Sequence, residues 1–527
     1  MLYTKFDCNS LRDSLKQKFI ANKFNLFDTT TTSNYCASKK NLDKYNIYSS
    51  LSHFPLLDVL KKITSKIKPN KPVLNNYFLI AGQHTLNTTG SLLEWIIKEL
   101  SLPSSNIYLI GKPYSNSNSV IQSLEKKLKI HYQQNSKQIA LGGFSDSYDT
   151  DITLLWNRLF LRIAEELAIK NPIKGIFVLD DGGHLLKKIP ADIAYLTDPE
   201  GKPIPLIGIE QTSSGINASK KFPHPIIEVA SSAAKQLEAP MIANLIEELL
   251  NNFEKTFFQL HPRYLAITPN LSDLSFGVVG LGKIGTATLR HLQHLGYKKI
   301  IAFDYEDSKR KIFNDNNIYF AKDVVDFITK SDLIIGCTGT DFMSADEKKL
   351  PTCLNIMQST RKFPKILISL SSKDTEFNSL LTYIHQKNRQ TQNNSGIVNP
   401  LKDILYPTEN PVLIILGGGT PLNFMPVNMG LSDYSIPPKD IQLVRGLLAA
   451  AILQAYQMMV TNYDTKENKF HAEQYKLDPN WQNFVVNAWL ESVELPKIPF
   501  FEDLDWISKN SGGILWKASE NKIALNI

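Results

Sequence analysis

Residues 275–285 read SFGVVGLGKIG and residues 300–304 read IIAFD, and no other stretch constrains the fold as tightly. The apolar run Phe276–Val279 predicts a buried strand. Gly280, Gly282 and Gly285 then form G-x-G-x-x-G, with Lys283 and Ile284 inside the turn. TATLRHLQHLG continues as a helix that Gly296 ends. Each glycine has its own task. Gly280 makes the tight turn, Gly282 lets backbone approach a pyrophosphate, and Gly285 lets helix pack on strand. The helix N-terminus offers unpaired N–H groups to the phosphates. Asp304 closes the second strand, where an acid accepts hydrogen bonds from an adenosine ribose and, in place of an arginine, favours NAD over NADP. Gly280, Gly282, Lys283, Ile284, Gly285 and Asp304 are therefore the expected residues of an NAD site.

At 527 residues the chain exceeds one compact domain, and two or three are expected. A composition of 43% hydrophobic and 21% charged residues is ordinary for a soluble globular protein. The net charge of +7 is thin over this length. The densest basic stretches, 61–71 and 308–311, read as solvated faces, so no nucleic acid partner is expected. Cys8, Cys36, Cys337 and Cys353 lie far apart without a C-x-x-C, which argues against a disulfide framework, a zinc site or any metal. The apolar stretch around 447–460 is interrupted by Gln454 and Gln457 and is too short for a bilayer. The first residues lack a signal-peptide core. No membrane association and a cytoplasmic location are expected.

Residues 1–75 are polar, with a DTTTTS tract at 28–33, and read as a peripheral extension, partly helical near 51–67. From residue 76 strands and helices alternate: strands 76–82, 106–111 and 175–183, helices 91–100, 119–128 and 152–170. PLIGIEQ precedes the loop TSSGIN, and a long helix fills 240–258. Such alternation predicts parallel sheets. After the glycine-rich turn, strands within 331–340, 365–377 and 411–419 end in small residues, where a doubly wound sheet places ligands. Residues 386–395 read as a polar loop or hairpin tip. A long apolar helix over 440–460 is expected to cross back to the first domain, and the tail reads as helical and amphipathic. The expected fold is α/β: two doubly wound parallel-sheet domains, one a Rossmann NAD-binding domain, with a C-terminal helix returning to the first. The expected boundaries are a polar extension (1–75), a substrate-type domain (76–262), the NAD-binding domain (263–431) and a C-terminal helical segment (432–527).

LDDGG at 179–183, GIEQTSSG at 208–215, Lys235 in IEVASSAAK, the glycine-rich turn, CTGT, SSKDTEF and LNF stand in the order found in S-adenosylhomocysteine hydrolases. Over residues 76–460 the chain resembles that family. The resemblance implies a tightly held NAD that oxidises a ribose 3′-hydroxyl, followed by proton removal, loss of a thiol, addition of water and return of the hydride. It implies a base of tuned pKa and a site closed to water. By the same resemblance Asp181 lies near the scissile side of the ribose, Lys235 beside the 3′-hydroxyl, and His84 in the substrate domain; these are the catalytic candidates. Thr212, Ser213 and Ser214 match a hydroxyl run at the nicotinamide end, and Thr338, Gly339 and Asn423 join the cofactor residues. A nucleoside-like small-molecule substrate and a homo-oligomer are implied.

Other positions depart from the family. Gln211 stands where a catalytic glutamate is expected, and Ala239 replaces the aspartate that orients the lysine. Leu86 and Thr88 replace a hydroxyl and a carboxyl residue that grip the nucleoside, and Ser372 replaces a histidine near the nicotinamide. The Gly-His-Pro turn expected after Asn423 is absent, as are the tail Lys and Tyr that close a neighbour's cofactor site. The cofactor half is kept and the nucleoside half is not. The leading expectation is a divergent adenosylhomocysteinase-like enzyme that oxidises a ribose or sugar-like hydroxyl. A non-catalytic, NAD-binding regulatory protein is the second. A 2-hydroxy-acid dehydrogenase-like oxidoreductase is ranked last, because LISLSSKDTEF replaces the Asn/Arg-Gly strand end that class wants. Ordinary roles stand beside these: a turn cap for Asp181, a surface lysine for Lys235, a core histidine for His84.

Overall fold

Apolar strands separated by long helices have one stable arrangement, a parallel sheet covered on both faces. The computed structural model shows two such sheets in series. It describes residues 54–134, 145–260, 273–310, 317–359, 363–371, 375–391, 404–406, 412–424, 436, 438–462 and 473–494. Cys8, Cys36, the 28–33 tract and Ser372 lie outside the described residues.

The first sheet is built from β1 (Tyr77–Thr85), β2 (Ile107–Asn116), β3 (His131–Gln133), β4 (Gly175–Asp180), β5 (Leu206–Glu210) and β6 (Ile226–Glu228), in the order β6-β5-β4-β1-β2-β3. The second holds β7 (Phe276–Val279), β8 (Ile300–Phe303), β9 (Ile318–Phe320), β10 (Leu333–Gly336), β11 (Lys365–Ser369), β12 (Ile404–Tyr406) and β13 (Leu413–Ile415), in the order β12-β13-β11-β10-β7-β8-β9. All pairs are parallel except β12 with β13. Both sheets thus share one winding, with reversal points between β1 and β4 and between β7 and β10. The expected pair of doubly wound domains is what the chain forms.

The strands are buried on both faces, which is why they read as continuous apolar runs. Phe78, Ile80, Ile176 and Val178 pack on the helix Ser145–Ala168, through Trp156, Leu159 and Ile163. Leu79, Ala81 and Leu179 face the opposite layer. There α1 (Asp58–Ile67), α2 (Asn87–Leu100) and α3 (Pro438–Asn462) meet, and the helix Pro479–Ser492 joins them. Residues 58–67 therefore belong to the core of the first domain through Val59, Leu60 and Ile63, and are not peripheral as expected.

The returning helix α3 is long and apolar enough to cross a bilayer by composition, with mean hydropathy 1.4. Yet 72% of its apolar stretch is buried inside the protein, as in a core helix. Past it the tail is not purely helical: β14 (Gln474–Lys476) adds a parallel strand beside β6. Likewise the helix Asn378–Thr391 takes up the first half of the expected loop at 386–395.

Candidate functional site

In an open doubly wound sheet the crevice lies beyond the carboxyl ends of the strands, where strand order reverses. Polar residues interrupt apolar strands there: Gln83 and His84 in β1, Lys112 and Ser115 in β2, Asp181 after β4, and Gln211 after β5, all buried. The β1–β2 register slips between Gln83 and Thr85, so the strand is irregular where His84 leaves it.

Asp181 is the hub. Its Oδ2 lies 3.3 Å from His84 Nε2 and its Oδ1 3.7 Å from Lys112 Nζ. Gln211 Nε2 donates to the same carboxylate, and Lys112 also donates to the Asp181 carbonyl. His84 Nδ1 sits 2.6 Å from Ser115 Oγ. Burial alone would raise Asp181, but Lys112 and the hydrogen bonds from His84 and Gln211 overcome it and hold the carboxyl well below the usual carboxylate range. Burial lowers the His84 pKa despite the aspartate beside it. The ring is therefore uncharged at neutral pH and serves Asp181 as a hydrogen-bond donor through Nε2, while Nδ1 accepts from Ser115.

Two further carboxyls hold the turn. Asp180 accepts from Asp181 N at 2.8 Å and Leu186 N at 2.9 Å. Glu210 accepts from Gly182 N at 3.1 Å, Gly183 N at 2.8 Å and both Thr212 N and Oγ1. Burial, with Asp180 and Asp181 nearby, pushes Glu210 well above its ordinary range. Thr212 also caps the short helix Ser213–Ala218 by accepting from Gly215 N. Ser214 Oγ lies 3.5 Å from the Thr212 hydroxyl, and Ser213 is exposed.

Lys235 lies in the 3₁₀ turn Ala234–Leu237, ahead of the helix Glu238–Leu260, and its Nζ donates to Glu238. In a 3₁₀ turn side chains three apart stand over one another. The carboxylate expected to be lost at Ala239 is therefore supplied one residue earlier, by Glu238. Lys283, from the glycine-rich turn, reaches across the domain boundary to Ala230 O at 3.5 Å. Partial burial and the Lys235 charge lower its pKa, against Glu238.

The turn itself fits a dinucleotide. Gly280 has φ +89°, and a Cβ there would meet the Cys337–Thr338 backbone at 2.8 Å. A Cβ on Gly285 would fall 1.8 Å from Gly280 O, which no side chain survives. A Cβ on Gly282 would meet nothing within 4 Å: this side of the turn is an open cradle at the N-terminus of the helix Lys283–His294, which Ile284 enters. Asp304 Oδ2 accepts from Leu281 N at 2.6 Å, with Lys309 Nζ at 3.8 Å, and Oδ1 accepts from Glu306 N at 2.9 Å, so Oδ1 keeps a lone pair for a ribose hydroxyl. Thr338 N and Gly339 N donate to Glu376 at 3.0 and 2.9 Å. Asn423 Nδ2 ties down Leu370 O at 2.9 Å.

Sequence reasoning missed Lys112, Glu210, Glu238, Glu376 and, most notably, Arg445. That arginine is 2% exposed in the middle of α3, and its Nε donates to Thr88 Oγ1 at 3.2 Å. A lone charge within LVRGLLAAAILQ was the available signal. Its pKa is lowered by burial to about 10, with Asp181 and Glu238 opposing. Among the described residues no hydrogen bond or ion pair links Lys235 to Asp181 or His84; the Arg445 charge acts on both clusters, through Asp181 and Glu238.

Residues 248–341 match the model of the NAD-binding domain of D-isomer specific 2-hydroxyacid dehydrogenases. A glutamyl-tRNA reductase of Carboxydothermus hydrogenoformans is 28% identical over 106 residues, 19% of this chain. The chain thus spans 22% of the length of that curated relative. Among solved structures, D-2-hydroxyisocaproate dehydrogenase is 13% identical with TM-score 0.33, over 74% of this chain and 98% of that one. The NADPH-dependent glyoxylate/hydroxypyruvate reductase of Sinorhizobium meliloti is 16% identical with TM-score 0.30, over 58% and 88%. Likenesses this loose carry neither substrate nor mechanism. The chain carries a Rossmann NAD-binding domain of the kind found in D-isomer specific 2-hydroxyacid dehydrogenases; these likenesses do not reach the expected S-adenosylhomocysteine hydrolase family.

Proposed function

We propose that this protein is an NAD-dependent oxidoreductase of dehydrogenase type, acting on a small hydroxyl- or carbonyl-bearing ligand at the carboxyl end of the first sheet. One observation carries this reading: Lys283 of the cofactor turn crosses to Ala230, beside the Lys235–Glu238 pair. Titratable groups of the first domain thereby stand against the turn that fits the dinucleotide. Bound NAD would supply the hydride acceptor. Gly282 and the helix behind it would hold the pyrophosphate, and Asp304 the ribose.

The remaining work falls to this chain's own side chains. The Lys235 ammonium, 10% exposed and held by Glu238, is the group suited to exchange a proton with the ligand oxygen. Asp181, ionised and steadied by Lys112, His84 and Gln211, orients a neighbouring hydroxyl by accepting its hydrogen bond. A second reading keeps adenosylhomocysteinase-like oxidation of a ribose hydroxyl. Glu238 favours it, because Lys235 retains a carboxylate partner.

Absorbance of the reduced-nicotinamide band separates these readings when NAD-loaded protein is offered 2-hydroxy acids, adenosine or S-adenosylhomocysteine. A rise with a 2-hydroxy acid supports the first and a rise with adenosine the second. No rise with any of them, with NAD bound, counts against both. Lys235→Ala should lower the rate by about 10²–10⁴-fold, the usual worth of a positioned acid–base group.

A further inference from the structure

Arg445 is almost wholly buried, yet among the described residues its five N–H donors have one hydrogen-bond partner, Thr88, which takes the bond from Nε. It forms no ion pair among the described residues. The two carboxylates that influence its charge are engaged elsewhere, Asp181 with Lys112 and Gln211, and Glu238 with Lys235. A guanidinium buried without a counter-anion is a costly arrangement. Among the described residues, two other buried side chains at the carboxyl ends of the first sheet's strands have open bonding capacity. Gln83 is 0% exposed and neither its Oε1 nor its Nε2 has a partner; Gln211 Oε1 has none either. Alternation along β1 puts Gln83 on the face of Leu79 and Ala81, the layer that α3 covers.

Four basic side chains, Lys112, Lys235, Lys283 and Arg445, stand at the crevice, where Asp181 pairs with Lys112 and Glu238 with Lys235. A planar fork of free donors in this setting matches two oxygens of one anionic group. We infer that Arg445, supported by Gln83, forms an oxyanion subsite that holds a carboxylate or phosphate substituent of the ligand and selects for it. This rests on the proposed hydride-transfer reading in one respect: the ligand's reacting hydroxyl would lie toward Asp181 and the Lys235–Glu238 pair, whose carboxylates both feel the Arg445 charge.

The test uses the full-length, NAD-loaded protein at constant ionic strength, with malonate and inorganic phosphate as probes and malonamide as the uncharged control. Malonate, phosphate or both should bind saturably by calorimetry and raise the melting temperature, and malonamide should do neither. Malonate alone points to a carboxylate, phosphate alone to a phosphoryl group. Arg445→Lys and Gln83→Leu should each weaken binding by about ten- to a hundred-fold, as for one lost hydrogen bond to a charged group. Gln83→Leu replaces an unpartnered amide with an apolar side chain, so it should fold even if Arg445→Lys does not. Absence of binding by both anions, or binding unchanged in Gln83→Leu and in any folded Arg445→Lys, overturns the subsite. Binding that persists while no substrate reduces NAD sinks the hydride-transfer reading instead and leaves the subsite standing.

Discussion

Glu210, the last residue of β5, and Glu376, beyond the end of the matching strand β11, do the same work in the two halves. Each buried carboxyl accepts the backbone N–H groups of the turn leaving the neighbouring strand: Gly182 and Gly183 for Glu210, Thr338 and Gly339 for Glu376. Each also takes a threonine hydroxyl at 2.8 Å, from Thr212 and Thr338 respectively. A loop that crowds a ligand with backbone must satisfy its remaining N–H groups from behind, and a buried glutamate does so. The same winding has met the same requirement twice.

Glu376 makes stability depend on pH. Burial raises its pKa from 4.5 to about 7. Between those values the folded chain keeps a proton that the unfolded chain has lost, so stability falls as pH rises through this window, by about 3 kcal/mol. Urea unfolding at pH 5 and pH 7.5 should show that fall, and Glu376→Gln should flatten it. Equal slopes in the two proteins would mean that Glu376 is already ionised at pH 5.

The glycines of the turn should separate fold from cofactor. Gly285→Ala puts a Cβ 1.8 Å from Gly280 O and should lower the melting temperature of the second domain. Gly282→Ala meets nothing within 4 Å and should leave that temperature unchanged. It should nonetheless weaken NAD by about ten-fold or more, because its methyl stands where a phosphate approaches. Calorimetry with NAD measures both, and undiminished NAD affinity in Gly282→Ala would place the pyrophosphate elsewhere.

Lys112 neutralises the hub. Lys112→Met leaves Asp181 buried beside a neutral imidazole and should cost about 3–5 kcal/mol, as when one partner of a buried pair is removed. The Asp181 carboxyl should rise toward neutrality with it. Denaturant midpoints and the pH dependence of unfolding report the two effects, and a cost under about 1 kcal/mol would show a solvated pair.

The returning helix is tested at Gly446, where a Cβ would meet Val59 at 2.3 Å and Val485 at 2.8 Å. Gly446→Ala should destabilise by about 1–3 kcal/mol, the usual cost of overpacking. Val59→Ala should recover part of this in the double variant, since neighbouring sites are not additive. Strict additivity would separate α1 from α3.

The second sheet was legible because its signals are local. Strand, three spaced glycines, helix and acid occupy one stretch of chain, and each residue's task follows from its neighbours. The strands of the first sheet were legible for a similar reason, since burial on both faces leaves unbroken apolar runs. The edge strands β3, β9, β12 and β14 are three residues each, too short for such a run to announce them, and pair where a neighbouring strand offers its edge.

The crevice was only half readable. Asp181, His84 and Lys235 stood out from ordered motifs, and their partners did not. Lys112 meets Asp181 across 69 residues of chain, and Arg445 meets Thr88 across 357. The lost aspartate at Ala239 was replaced by Glu238 through a 3₁₀ turn whose i, i+3 stacking no residue count announces. By itself the sequence determined the two windings and the cofactor turn, because backbone geometry and burial act over short spans. Only the tertiary structure decided which charges share the buried site, because a desolvated charge is answered by whichever group packs against it, however far along the chain.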